Sequence, residues 1–329
     1  MSKHRLLLTE KAFARVGAKI EQLGEDITLS AFNQAQIQSF NITKLEKPNN
    51  ILDATVAWLS LDIYQNSNPA MLDEILLNSP GLDWVHTAIA GVEAPIFGKL
   101  LERGVRITNS DAQAPSVAEF TLGNILSLFQ NHNKIEEYGK KKRWAPIPFR
   151  EIQNTKWLIL GYGSIGKELD KRLRAFGAEV VAVRRNSNAD DPAYVTTVND
   201  LGKLIPQCDV VVLACALSRE TRGIVDRNFL EKMKPESILV NIGRGGLILE
   251  DDLLSALERG NGIETAILDV FDIEPLPENH PYWSHPKVRV TSHNASFGDG
   301  MADRADELFL NNLKCYLADQ PLRKEISNK

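Results

Sequence analysis

The sequence predicts an α/β protein made of two doubly wound parallel sheets. Short, almost wholly apolar runs recur along the chain, with helical patterns between them. Apolar runs of about four to six residues suit strands buried on both faces, as parallel sheets are beneath their crossover helices. At 329 residues the chain is long enough for two such cores. A glycine-rich turn joins strand to helix in the second half and has no counterpart in the first, so the two sheets do different work.

In chain order, the candidate strands of the first sheet are Leu6–Leu8, Ile27–Leu29, Thr55–Trp58, Trp84–Thr87 and Val105–Thr108. They describe a smaller, flavodoxin-like unit with no glycine fingerprint, which is expected to handle the substrate. Between the halves lies Ser110–Phe129. Pro115 can open a helix there, and Val117, Phe120, Ile125, Leu128 and Phe129 keep a helical period, predicting a helix buried on several sides. The basic run Lys140–Arg143 reads as a solvated helix end.

Trp157–Leu160 opens the second sheet. After the glycine turn, Ile165, Leu169, Leu173 and Phe176 share one helix face, and Gly177 stops that helix. Val180–Val183, Asp209–Ala214, Ser237–Ile242, Thr265–Leu268 and Val288–Val290 complete six predicted strands. A helix over 250–258 ends at Gly260. A last helix, Ala302–Leu317, is expected to return to the first unit. The predicted domains are therefore a discontinuous substrate domain, 1–107 with 297–329, and a cofactor domain, 108–296.

Composition narrows the partners. The formal charge is −5 and no basic stripe points to nucleic acid. Leu6–Leu8 is too short for a signal peptide and is followed by Glu10 and Lys11. No run approaches the ~20 apolar residues that span a bilayer. The three cysteines, Cys208, Cys215 and Cys315, form no C-x-x-C pair and suit a reducing compartment, so the cytoplasm is expected. The six histidines have no zinc-ligand spacing, and the nearest pair, His280 and His285, lies in a proline-rich loop, so no metal is expected.

Gly161-Tyr162-Gly163-Ser164-Ile165-Gly166 is G-x-G-x-x-G between a strand and a helix. The first glycine permits the tight turn, the second admits a pyrophosphate, and the third lets helix and strand pack closely. The helix N-terminus supplies N–H groups and a positive dipole end. This pattern predicts a Rossmann domain, with Gly161, Gly163, Ser164, Ile165 and Gly166 at a dinucleotide. Where the second strand ends, an acid would bind the ribose 2′-hydroxyl of NAD. Arg184, Arg185, Asn186 and Ser187 stand there instead. A guanidinium attracts a 2′-phosphate, so NADP(H) is the preferred cofactor, with NAD(H) as the second choice.

Three more polar stretches end predicted strands, on the edge where open α/β sheets bind ligands. Asn241–Gly246 sets Arg244 among glycines, suited to a planar carboxylate. Leu268–Pro275 carries Asp269, Asp272 and Glu274. Thr291–Ala295 carries His293, the natural acid–base residue near neutral pH.

These stretches, in this order, resemble the D-2-hydroxyacid dehydrogenase family, which includes glyoxylate and hydroxypyruvate reductases. The resemblance also takes in Ala90-Gly91-Val92, Val117-Ala118-Glu119, Thr221-Arg222-Gly223 and Phe229–Pro235, and covers most of the chain from about residue 84 onward. It implies that Arg244 binds the substrate carboxylate and carbonyl, that His293 donates a proton to the carbonyl oxygen, and that Glu274 holds His293. It implies that Asp269, placed here with the cofactor set, tunes the Glu274–His293 pair. Backbone N–H groups of Ala90, Gly91 and Val92 would hold the substrate carboxylate. Arg184, where the family has an acid, is the main departure. The resemblance further implies a homodimer.

The expected function is reduction of a small 2-keto acid, such as glyoxylate or hydroxypyruvate, to a D-2-hydroxy acid. Two alternatives remain open at this point. One is a dehydrogenase for a larger acid such as phosphoglycerate, which would need extra cations. The other is a dinucleotide-sensing binding protein resembling the family's corepressors.

Overall fold

The computed structural model describes residues 4–24, 27–32, 53–66, 69–186, 188–259 and 262–326. The predicted stop at Gly260, and Ser187 in the cofactor stretch, lie outside them. The chain divides into two compact units, Met1–Gln113 with Asp299–Lys329, and Ala114–Gly298.

Among the described residues the first unit holds five parallel strands: β1 (His4–Thr9), β2 (Ile27–Phe32), β3 (Val56–Leu59), β4 (Trp84–Thr87) and β5 (Arg106–Thr108). Their order is β2-β1-β3-β4-β5, the flavodoxin order. In β1, consecutive leucines serve opposite faces. Leu6 and Leu8 pack with Val16 and Ile20 of the helix Glu10–Glu21 and with Phe309 and Leu313 of the helix Met301–Leu317. Leu7 packs with Ile75, Leu76 and Leu100 on the other side. All three leucines are buried, each contributing roughly 2 kcal/mol. The first helix starts where Thr9 Oγ1 accepts the Ala12 N–H at 3.0 Å. Arg15 pairs with Asp306 at 2.6 Å and ties that helix to the last one. Behind β4, His86 is wholly buried, stacked on Trp58 at 4.9 Å between ring centroids, with Nδ1 2.5 Å from Thr108 Oγ1.

Among the described residues the second unit has seven parallel strands: β6 (Lys156–Leu160), β7 (Glu179–Arg184), β8 (Val195–Thr197), β9 (Val210–Leu213), β10 (Ile238–Asn241), β11 (Thr265–Leu268) and β12 (Val288–Val290). The sheet runs β12-β11-β10-β9-β6-β7-β8. Read from β8, this is the Rossmann order with one strand added beyond β11. The predicted count of six omits β8. Its three residues, all half-buried at a sheet edge, are too few to show a period.

The long helix, Ala114–Phe129, buries Val117, Ala118, Leu122, Ile125 and Phe129 against Leu169 and Leu173 of the helix Ser164–Ala175. That second helix gives way at Gly177, whose φ of +79° few other residues adopt. Lys140 and Lys141, in the basic run, pair with Glu136 and Glu137 one turn earlier, and all four are exposed. Because every strand is parallel, the loops after β6, β7, β9, β10, β11 and β12 all leave from one edge of the sheet.

Candidate active site

The loop after β6 turns because Gly161 takes φ +112°. A Cβ at Gly161 would lie 2.5 Å from Cys215 N, so β9's continuation passes against it. A Cβ at Gly166 would lie 2.3 Å from Gly161 O, so the helix Ser164–Ala175 is seated directly on the turn. Gly163 is different: nothing lies within 4 Å of a Cβ built there, and no side chain caps the helix that follows. The loop is closed against protein on two sides and open at Gly163 and the helix N-terminus, which fits a dinucleotide pyrophosphate. Ser164 and Ile165 form the first turn, both half-buried. Tyr162 turns inward, where its hydroxyl donates to Asp170 at 2.8 Å; Tyr194 donates to the same oxygen, also at 2.8 Å.

The sequence assigns the end of β7 to a 2′-phosphate, and the structure separates its residues. The Arg184 guanidinium holds both carboxylate oxygens of Asp191 at 2.8 Å. Asp191 is buried to 6 % side-chain exposure and also accepts the Asn188 N–H. Arg184 is therefore engaged in closing its own loop. Arg185 is well exposed and donates to Ser218 Oγ at 2.9 Å and Glu220 Oε2 at 3.1 Å. Asn186 is exposed beside it.

Arg244 follows β10. Asn241 braces its loop from both ends: its Nδ2 donates to Arg244 O at 2.9 Å and its Oδ1 accepts the Gly243 N–H at 3.1 Å. The Arg244 Nη1 donates to Gly243 O at 2.8 Å. Gly245 is required by its neighbour: a Cβ there would lie 1.9 Å from Phe271 C and 2.1 Å from Asp272 N. The Arg244 loop is thus pressed backbone to backbone against the loop after β11, which carries Glu274.

Glu274 and His293 meet. Glu274 Oε1 accepts the Phe271 N–H at 2.9 Å, which leaves Oε2 on His293 Nδ1 at 2.8 Å. His293 sits in the left-handed region, φ +54°, at a cost of about 1–2 kcal/mol. Histidine tolerates this better than most residues. Asp269 explains how the turn is held. Its carboxylate accepts Thr291 Oγ1 at 2.6 Å, the Asn294 N–H at 2.8 Å and the Ala295 N–H at 3.0 Å. The His293 N–H donates to Asp269 O at 2.8 Å. Asp269 is only 1 % exposed, and its carboxylate binds the loop that carries His293.

In the first unit, Ala90, Gly91 and Val92 follow β4. Asn109 Nδ2 donates to Ala90 O at 2.6 Å and the Ser110 N–H donates to Ile89 O at 3.1 Å, bracing the carbonyl side of the loop. The N–H groups of Gly91 and Val92 have no acceptor among the described residues. Among the described residues no cluster of three or more His, Cys, Asp or Glu could hold a metal. Sequence reasoning missed Asp191, Thr291, Ser218 and Glu220. Only the Ser-x-Glu-Thr of 218–221, an ordinary turn signal, was there to be read.

Residues 122–295 match the model of the D-isomer specific 2-hydroxyacid dehydrogenase NAD binding domain. The chain belongs to the D-isomer specific 2-hydroxyacid dehydrogenases. As a family member it is an NAD(P)-dependent oxidoreductase. It is 31% identical, over 68% of this chain and 74% of the relative, to glyoxylate/hydroxypyruvate reductase A of Serratia proteamaculans. A second relative, glyoxylate/hydroxypyruvate reductase A HPR2 of Arabidopsis thaliana, is 30% identical over 74% of this chain and 82% of its own. The crystal structure of a D-isomer specific 2-hydroxyacid dehydrogenase family protein from Aeromonas salmonicida superposes with a TM-score of 0.80 at 28% identity, covering 99% of both chains. No described helix of this dehydrogenase is long and apolar enough to cross a membrane.

Proposed function

We propose that this dehydrogenase reduces small 2-keto acids, glyoxylate and hydroxypyruvate first among them, with NADPH preferred over NADH. The observation that carries the reading is the Glu274–His293 hydrogen bond, 2.8 Å, on the sheet edge where Arg244 also emerges. Arg244, Glu274 and His293 follow three neighbouring strands, β10, β11 and β12. A bound nicotinamide supplies the hydride. Glu274 fixes which ring nitrogen of His293 faces it and stabilises the charged ring, so Nε2 carries the proton given to the carbonyl oxygen. Arg244 binds the substrate carboxylate and stabilises charge on that oxygen. Within the first unit, the unengaged N–H groups of Gly91 and Val92 are suited to an anion. The two relatives' names favour glyoxylate and hydroxypyruvate as substrates.

The test is the initial rate of cofactor oxidation with each keto acid, using NADPH and NADH in parallel. Turnover faster with NADPH supports the reading. His293→Asn, which keeps a residue at home at φ +54°, should abolish turnover and spare dinucleotide binding. No turnover of wild type with either cofactor overturns the assignment. We further propose a homodimer in the cytoplasm, a reducing compartment that suits three free cysteines. The helix His132–Lys140 has no buried residue, Trp144 beyond it is 101% exposed, and Phe149 is also exposed, a surface that a second copy would cover. Sedimentation of a monomer at assay concentration overturns that part.

A further inference from the structure

One ion pair joins the loops on either side of the glycine turn. In the sheet, β7 and β9 flank β6, and β6 leads into Gly161–Gly166. Arg185 follows β7, while Ser218 and Glu220 follow β9. The bridge between them therefore spans two strand spacings, about 9–10 Å, at the edge where the glycine turn opens. The β9 side is prearranged. The Ser218 N–H donates to Thr221 Oγ1 at 2.7 Å, Thr221 Oγ1 donates to Ala216 O at 2.8 Å, and the Arg222 N–H donates to Ser218 O at 2.9 Å. Ser218 Oγ then donates to Glu220 Oε2 at 2.7 Å, the oxygen that also takes Arg185. The Ser218 hydroxyl, the residue's own backbone N–H and Arg185 hold this carboxylate below its ordinary pKa, so it is charged wherever the pair forms.

Two arginines stand at the end of β7, and only one is available to an incoming anion. Arg184 faces a carboxylate buried to 6 % exposure, and releasing it would leave Asp191 charged and unpaired. Arg185 and Glu220 are 64% and 69% exposed, and an ion pair that exposed is exchanged at little cost. We propose that Glu220 is a cofactor-specificity residue: a 2′-phosphate binds Arg185 only by displacing the Glu220 carboxylate, which then opposes it by like-charge repulsion. A dinucleotide without the 2′-phosphate leaves the pair intact. Glu220 thus narrows the advantage that Arg185 gives to the phosphorylated cofactor. The inference rests on the dinucleotide reading of the glycine turn.

The test is isothermal titration of the full chain with adenosine 2′,5′-bisphosphate and adenosine 5′-monophosphate, and then with NADP⁺ and NAD⁺. Glu220→Gln should bind the two 2′-phosphorylated ligands about three- to tenfold tighter and leave the other two unchanged. Arg185→Ala should lose about tenfold or more on the phosphorylated pair only. Glu220→Ala guards against an effect peculiar to glutamine, and must move the same way. If Glu220→Gln shifts both classes equally, or neither, while wild type binds them, the role of Glu220 is overturned and the dinucleotide reading stands. If wild type binds none of the four, both fall.

Discussion

Asp269→Asn is the change that most directly tests how the turn carrying His293 is held. The carboxylate accepts three hydrogen bonds at 2.6, 2.8 and 3.0 Å from Thr291 Oγ1, Asn294 N and Ala295 N, and is nearly sealed from water. An asparagine has one acceptor oxygen. With that oxygen toward Thr291 and Asn294, its amide group meets the Ala295 N–H, donor against donor. A buried N–H left without a partner costs about 1–3 kcal/mol. The two remaining bonds lose their charge assistance, roughly another 0.5–1 kcal/mol each. The total is about 3 kcal/mol, or about 6–12 °C in Tm for a unit of this size. Because the same carboxylate fixes the residues after His293, kcat/KM should fall with it, by about 100-fold for a shift of 1 Å. Differential scanning calorimetry and steady-state rates with hydroxypyruvate read both. A Tm within about 2 °C of wild type would refute the reasoning, since a sealed carboxylate with three donors cannot be exchanged so cheaply.

Gly245→Ala should destabilise the second unit by about 2 kcal/mol or more, because its Cβ would fall 1.9 Å from Phe271 C and the backbone itself must move; an unchanged urea midpoint would mean the two loops are not pressed together. Glu274→Gln should lower kcat about 10- to 100-fold with little change in KM, and a loss confined to KM would show that Glu274 acts on substrate binding instead. His86, pushed down to about 3 by burial from an ordinary 6.5, is protonated in the unfolded chain before the native one. Stability should therefore fall as pH drops from about 6.5 toward 3. From pH 7 to 5 the His86 contribution is roughly 2 kcal/mol. Thermal melts of His86→Phe should show a shallower pH slope than wild type, and equal slopes would remove His86 as the cause.

What could be read from the sequence was whatever leaves a one-dimensional trace. β3 and β9 are buried at every position, and their unbroken apolar runs are the signature of a sheet covered on both faces. The glycine turn was legible because each glycine answers a local steric demand, as Cys215 N at 2.5 Å from a Gly161 Cβ shows. Contacts between residues that only the fold brings together left no such trace. Nothing in Arg184 says that Asp191 will take its guanidinium, and a strand-end acid such as Asp269 reads the same whether it binds a ligand or a loop. Burial to 1 % distinguishes the two, and burial is a property of the packed sheet. β8 was missed for a related reason: the sheet edge makes it a strand, not its three residues.

The loops of this site are held by one another more than by the strands that carry them. Gly245 brings the Arg244 loop against Phe271 and Asp272, and the Phe271 N–H fixes one oxygen of Glu274, so the other falls on His293. Asp269, at the end of the same strand as Glu274, reaches the far side of the His293 turn. The left-handed backbone of His293 is stable in this arrangement because bonds from Thr291, His293, Asn294 and Ala295 all converge on Asp269. Strand β11 therefore supplies both the group that orients the histidine ring and the group that fixes its backbone. A histidine held this way is fixed in ring and backbone, which is what the proposed proton donation at a developing alkoxide requires. This arrangement also predicts that damage to β11's C-terminal loop will reach Arg244 and His293 together.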